Sequence, residues 1–265
     1  LLTFGKTLKE QVQQRLDGQN VTVELAMRYQ NPSMDSVLER MEKVGYDEIV
    51  LVPLFPHYAS SSTGSAIEKA FKIIRKWWVI PDIKVVSNFF DHPGYIDAFV
   101  EKAKKNDIST YDHVIFSYHG LPERQIDKVH PEFSCSDCNC HKQFKEEERL
   151  CYRNECYETS RLIAAKLGLN SDDYTVSFQS RLGKTPWLTP YSDKVIEKFG
   201  KSGAKNLLVF SPAFIADCLE TSVEIGIEYQ EIFEANGGQN IQLVESLNDS
   251  EKWIATVLDL IKAKI

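Results

Sequence analysis

The run HVIFSYHG, residues 113–120, decides the fold. Its apolar, β-prone body has the length of a strand and stops abruptly at an imidazole followed by glycine. Six further runs share this character, at residues 21–27, 48–55, 83–89, 174–180, 206–212 and 241–246. Segments of helical period separate them, near 6–16, 35–44, 66–77, 93–105, 145–167, 191–199, 217–235 and 250–264, with Ser33, Asp91 and Asp249 placed as N-caps. Strands and helices in alternation predict an α/β protein of parallel sheets with right-handed crossovers. The polar stretch KAKKNDISTYD, residues 102–112, is the expected boundary between two doubly wound, Rossmann-like halves, 1–109 and 110–247. Ligands bind beyond the carboxyl ends of such strands, so the residues that follow each run carry the functional reading.

Composition narrows the classes. The chain has 265 residues, 43% of them hydrophobic and 26% charged, which excludes a disordered chain. Lysine and arginine number 31 against 38 acidic residues, a net charge of −7 with no basic block, so nucleic acid is not an expected partner. No run approaches the roughly 18 apolar residues of a membrane span, and the opening LLTFGKTLKEQ has neither the basic flank nor the apolar run of a signal peptide. A cytoplasmic location is the expectation.

His119 stands where a general base would be useful, and an imidazole titrating near 6.5 suits that work; the plain alternative is a capping or packing histidine. After the sixth run come Asp217, Glu220, Glu224 and Glu228, which at about 100° per residue fall within about 80° of one helix face. Leu219, Val223, Gly226 and Tyr229 take the opposite face. Like charges about 6 Å apart repel by about 0.7 kcal/mol in water and nearly 3 kcal/mol at an effective dielectric of 20, so the stripe is either a solvated surface or a cation path. Cys135, Cys138 and Cys140, followed by Cys151 and Cys156, crowd into one loop of a chain with six cysteines. Three thiols within six residues suit zinc or an iron-sulfur cluster better than disulfides, and spacing alone does not separate the two metals. Cys218 is remote from them. FQSRLGKTPW, residues 178–187, brings an amide, a guanidinium and a large aromatic to a strand end, and Trp187 is either a floor for a flat ligand or a core residue. Residues 60–65 form a Ser-Thr-Gly run that weakly resembles a phosphate cradle.

MRYQNPS (27–33), LVPLFPHYASSSTGS (51–65), SYHGLPER (117–124), FQSRLGKTPWLTPYSD (178–193) and SPAFIADCLET (211–221) occur in this order, most of them just past a strand. In this the sequence resembles the ferrochelatases, lyases that insert ferrous iron into a porphyrin, protoporphyrin IX or coproporphyrin III, to make haem. The resemblance implies two Rossmann-like domains with the active cleft between them. It implies that the last helix, 248–265, returns to the first domain and that residues 130–156 form a cysteine insert within the second. His119 and Glu220 match the pair that face each other across the porphyrin pocket and meet the substrate Fe2+. Asp217, Glu224 and Glu228 match the acidic line that carries iron or protons. Phe178, Trp187 and Phe214 are expected to flank the macrocycle, with Arg28, Arg181, Ser62 and Thr63 toward its propionates. CSDCNC with Cys151 resembles the insert of a bacterial subset that binds a 2Fe-2S cluster through Cys135, Cys138, Cys140 and Cys151, with Cys156 as alternate ligand and zinc as the alternative metal. Family members carry a further strand and pocket lip ahead of the first motif seen here, and the lip is a peripheral membrane contact. The chain is expected to work as a monomer or homodimer. The rival readings are a chelatase for another tetrapyrrole, such as a cobalt-inserting enzyme, and a two-domain metal- or tetrapyrrole-binding protein without catalysis.

Overall fold

The computed structural model describes residues 1–265 apart from Pro131 and Phe133. The chain forms two compact units, residues 1–89 with 249–265, and residues 90–248.

In the first unit, helices α1 (Leu2–Leu16), α2 (Met34–Val44) and α3 (Ser65–Ile74) accompany strands β1 (Glu48–Leu51) and β2 (Asp82–Val85). The strands pair in parallel from Glu48↔Asp82 to Leu51↔Val85. Leu38, Ile49, Ala70, Ile74 and Trp77 form a buried cluster beside them. Ser33 caps α2, its hydroxyl accepting from Ser36 N at 3.2 Å, and Gly45 ends that helix at φ 75°, a left-handed conformation that costs glycine little. The last helix packs against α1, where Arg15 and Glu251 meet at 2.6 Å, and Trp253 lies 5.6 Å from Phe89 between ring centroids.

The expected strand at 21–27 does not form; only Met27 makes an isolated bridge, to Ser33. A strand exists through its ladder, and here the backbone is satisfied locally, with Val23 N donating to Gln13 Oε1 at 2.7 Å. Two expected caps shift by one residue. His92 Nδ1, not Asp91, accepts from Gly94 N with Pro93 opening the helix, and Ser250 rather than Asp249 stands at the N-cap of the final helix.

The second unit holds α4 (Pro93–Ala103), β3 (His113–His119), α5 (Glu123–Asp127), α6 (Tyr152–Leu167), β4 (Tyr174–Gln179), α7 (Ser192–Lys201), β5 (Asn206–Phe210), a ten-residue π-helix (Glu220–Tyr229), α8 (Gln230–Ala235) and β6 (Asn240–Leu243). The remaining helix, α9 (Glu251–Lys262), is the one on α1. The second unit's sheet is fully parallel, in the order β4-β3-β5-β6. Val114 to Tyr118 are all buried, which is why β3 reads as a run that is apolar but for Ser117 instead of an alternating one. One face packs Ile115, Leu207 and Val209 against Val195, Ile196, Ile225 and Phe233; elsewhere in the sheet Phe116 stacks on Phe210 with centroids 4.8 Å apart.

The boundary expected within 102–112 lies instead ahead of α4. Tyr95 and Phe99 are buried, Tyr95 Oη donates to Pro212 O at 2.7 Å, and α4 packs on α6, so burial and not the polarity of the following linker assigns this helix. The helix expected from residue 145 begins only at Tyr152. Asn154 turns the preceding chain back, accepting from Lys145 N and donating to Lys145 O and Glu148 O. Among the described residues no helix is long and apolar enough to cross a membrane.

Candidate active site

The second unit's strand order reverses direction between β3 and β5, the switch point at which doubly wound sheets open a crevice at their carboxyl ends. His119 ends β3 there, half-buried. Its Nδ1 lies 2.6 Å from Gly120 O. A carbonyl only accepts, so Nδ1 holds the proton and Nε2 is left with its lone pair. Tyr152 Oη donates to His119 O at 2.8 Å and fixes the backbone from the other side. Phe214, in the segment after β5, brings its ring to 6.3 Å from the imidazole.

Three quoted motifs meet around this histidine. Gly120 N donates to Gln179 O at 2.7 Å, Leu188 N to Leu121 O at 2.9 Å and Glu123 N to Pro186 O at 3.0 Å, so SYHGLPER and FQSRLGKTPW are laced together through their backbones. Gly120 is required by this approach, since a Cβ would stand 2.8 Å from Gln179 O and 3.3 Å from the Trp187 ring. Trp187 is partly exposed, its indole N–H donating to Leu182 O at 2.9 Å. The third motif joins through Gln179, whose amide donates to Glu220 O at 3.0 Å and Glu224 Oε2 at 3.1 Å.

The acidic segment differs from the helix expected at 217–235. Residues 220–229 are π-helical, with i→i+5 bonds and a wider turn, so residues four apart stack most closely. Thr221, Ile225 and Tyr229 are the buried row, while Glu220, Glu224 and Glu228 form the adjacent one. Leu219, Val223 and Ile227, of which the first two were expected to face the core, are exposed. Asp217 precedes the helix and accepts from Asn248 Nδ2 at 2.7 Å.

The remaining site residues divide. Phe178 is 1% exposed, packed near Tyr118 and Tyr157, and so belongs to the core and not to a macrocycle wall: its side chain falls on the inner face of β4. Thr63 is likewise buried, in a five-residue π-turn of the first unit, whereas Ser62 is partly exposed. Arg28 is held in the first unit by Ser65 Oγ at 3.0 Å. Arg181 is exposed, stacked 4.2 Å over the Tyr191 ring and 3.3 Å from Asp193.

The cysteine loop is a second centre. Cys135, Cys138, Cys140 and Cys151 are all buried free thiols. Cys135 N donates to Asp127 Oδ1 at 2.7 Å, Arg153 donates to Cys135 O at 2.7 Å with its Nη1 3.8 Å from the sulfur, and Cys138 Sγ lies 3.3 Å from Glu148 Oε2. Burial pushes the thiols of Cys135 and Cys151 up to about 11 and 12. The Cys140 thiol donates to Cys138 and lowers it, so Cys138 ionises first of that pair. No group of three or more His, Cys, Asp or Glu among the described residues is placed to hold a metal ion. A 2Fe-2S cluster would ask for two thiolates on each of two irons; four cysteines match that number, but the described residues do not hold them as a ligand set. Cys156 contacts the Tyr152 hydroxyl instead, and its thiol is raised well above the usual range by burial.

The ferrochelatase family model matches residues 1–265. The chain belongs to the ferrochelatase family. A ferrochelatase of Pseudomonas fluorescens biotype C is 40% identical over 251 residues, 93% of this chain and 74% of the relative. One from Legionella pneumophila strain Corby is 39% identical over all 265 residues, 78% of its own length. Among solved structures, SirB from Bacillus subtilis with Fe3+ superposes with a TM-score of 0.67 at 12% identity, covering 97% of this chain and 86% of that one. CbiX, a terminal enzyme of sirohaem biosynthesis in denitrifying bacteria, gives 0.58 at 11% identity, covering 99% and 90%. These two establish the chelatase-like α/β fold. Membership in the ferrochelatases carries the activity, insertion of iron into a porphyrin on the route to haem.

Proposed function

We propose that this lyase inserts Fe2+ into its porphyrin with His119 as the base, and that the acidic row after β5 handles the metal. Insertion removes two pyrrole protons, exchanges iron-bound water for four ring nitrogens and leaves iron in the same oxidation state. His119 Nε2 takes the first pyrrole proton. Glu220, with Asp217 at the start of the row, holds Fe2+ through carboxylate oxygens and passes on the second proton, while Glu228 is the exposed outer end of the path. Oxygen and imidazole ligands release Fe2+ readily, whereas thiolates do not, so the cysteine loop is not the delivery route. Trp187 and Phe214 supply apolar contact for the ring, and Arg181 and Arg28, with Ser62, are the donors for propionates. The observation that carries this reading is the 2.6 Å approach of His119 Nδ1 to Gly120 O, which makes Nδ1 the donor and leaves Nε2 as an acceptor at the switch point.

The cysteine quartet holds a 2Fe-2S cluster as a structural clamp, with zinc as the alternative metal. Cys135, Cys138, Cys140 and Cys151 would hold it, and it would supply four sulfur-to-iron bonds that tie the loop together. A cytoplasmic setting fits six free thiols.

His119→Ala tests the reading. Iron insertion is expected to fall by about 100-fold or more, the usual contribution of a positioned base, with porphyrin binding by fluorescence quenching retained. Turnover at the wild-type rate in the folded variant removes His119 from the mechanism.

A further inference from the structure

Glu224 stands in the acidic row, yet its carboxylate has no room for a metal ion. Oε1 accepts from Ser180 N at 2.9 Å and Tyr229 Oη at 3.0 Å, and Oε2 accepts from Gln179 Nε2 at 3.1 Å and Ser180 Oγ at 2.5 Å. An ionised carboxylate offers about four acceptor positions, and all are filled. Ser180 sits at φ 62°, a left-handed conformation that a residue with a Cβ adopts only when its surroundings impose it. Two of the four bonds to Glu224 come from Ser180 itself. They fix the turn at which β4 leaves the sheet and enters the Trp187 loop.

Gln179 extends this bond network toward the base. It pairs in register with His119 across β3 and β4, and its carbonyl accepts from Gly120 N, the residue whose own carbonyl accepts a hydrogen bond from His119 Nδ1. Its side chain is buried, with Oε1 accepting from Ser117 Oγ at 2.7 Å and Nε2 reaching both Glu220 O and Glu224. One side of Gln179 thus sets the base and the other sets the backbone of the acid.

We propose that Glu224 is a positioning residue and not part of the ion path: with Gln179 and Ser180 it locks the π-helix to the end of β4 and so sets Glu220 against His119. The proposal rests on the roles given above to His119 and Glu220, and deepens them.

Glu224→Gln in the full chain removes two of the four acceptors and the charge with little change of shape. Insertion kcat is expected to fall about tenfold with the KM for Fe2+ and for porphyrin within about twofold, because only the reacting arrangement is disturbed. Adding Ser180→Gly supplies the left-handed turn without help from Glu224, and should return about threefold of the lost kcat. Ser180→Ala, a milder change, should show the same split at smaller size. Amide hydrogen exchange gives a readout independent of turnover: exchange at Ser180 and across 220–229 should quicken in Glu224→Gln. A rise in the Fe2+ KM with kcat retained would make Glu224 a carrier of iron and overturn the proposal. So would a lowered Tm with normal kcat, or unchanged exchange at Ser180. Quickened exchange in Glu224→Gln, alongside a wild-type chain that never metallates porphyrin, would instead leave Glu224 as the lock and remove the roles of His119 and Glu220.

Discussion

Gly120 shows how one missing Cβ organises the site. Gly120→Ala forces a methyl to within 2.8 Å of Gln179 O, a backbone atom that cannot swing away. The expected cost is about 1–3 kcal/mol, read as a lowered Tm, together with slower iron insertion as His119 and Trp187 separate. The need for glycine was not legible in HG as a dipeptide, because the clash comes from a strand about sixty residues on; the position of His119 at a strand end was, since it ends an apolar run. Gln179 and Ser180 lay inside a quoted motif, but their role depends on partners that only the sheet order reveals. A second residue effect concerns acid. Burial lowers the His57 pKa from 6.5 to about 3, so the folded protein keeps it neutral while the unfolded chain takes a proton below 6.5. Stability is therefore full above pH 6.5 and falls as pH drops toward 3, by about 1.4 kcal/mol per unit for this one group. Between pH 7.5 and 5 the wild type should lose about 2 kcal/mol more than His57→Gln, measured by urea unfolding. Equal losses in both would assign the acid sensitivity to other groups.

Two segments depart most from their sequence patterns, for different reasons. The carboxylate stripe after β5 was visible, but its geometry was computed for an α-helix; the π-helix moves Leu219 and Val223 outward and puts Thr221, Ile225 and Tyr229 inside. No residue-level signal marks i→i+5 bonding, so that shift was out of reach. Residues 21–27 had a strand's composition and lacked a strand's partner. The cysteine loop, by contrast, was read from its spacing and from the family resemblance; its four thiols are buried, but among the described residues they do not form a metal-holding group. Its expected behaviour is chemical: protein isolated without oxygen should carry about two irons and two acid-labile sulfides per chain. Serine at Cys135, Cys138, Cys140 or Cys151 should bleach it and expose the loop to protease, whereas Cys218→Ser should not. Stoichiometric zinc without sulfide would replace the cluster with a zinc clamp, and disulfides in fresh protein would end both readings.

For the whole chain, the alternation of strands and helices was enough to give the α/β class, and the second unit's parallel sheet follows from runs buried on both faces. The division between units was misplaced because a polar linker is a weaker marker than a helix's buried face, and Tyr95 and Phe99 show that face packed into the second unit. Three motifs separated by up to about a hundred residues converge on one strand end, and a metal-inserting enzyme and a passive carrier could both be built on it. The two differ in turnover. Fe2+ and porphyrin mixed without oxygen at a large excess over protein should yield many equivalents of haem per chain, followed by the growing Soret band. A reaction that stops at one equivalent, or porphyrin that binds and is never metallated, would contradict catalysis by this protein.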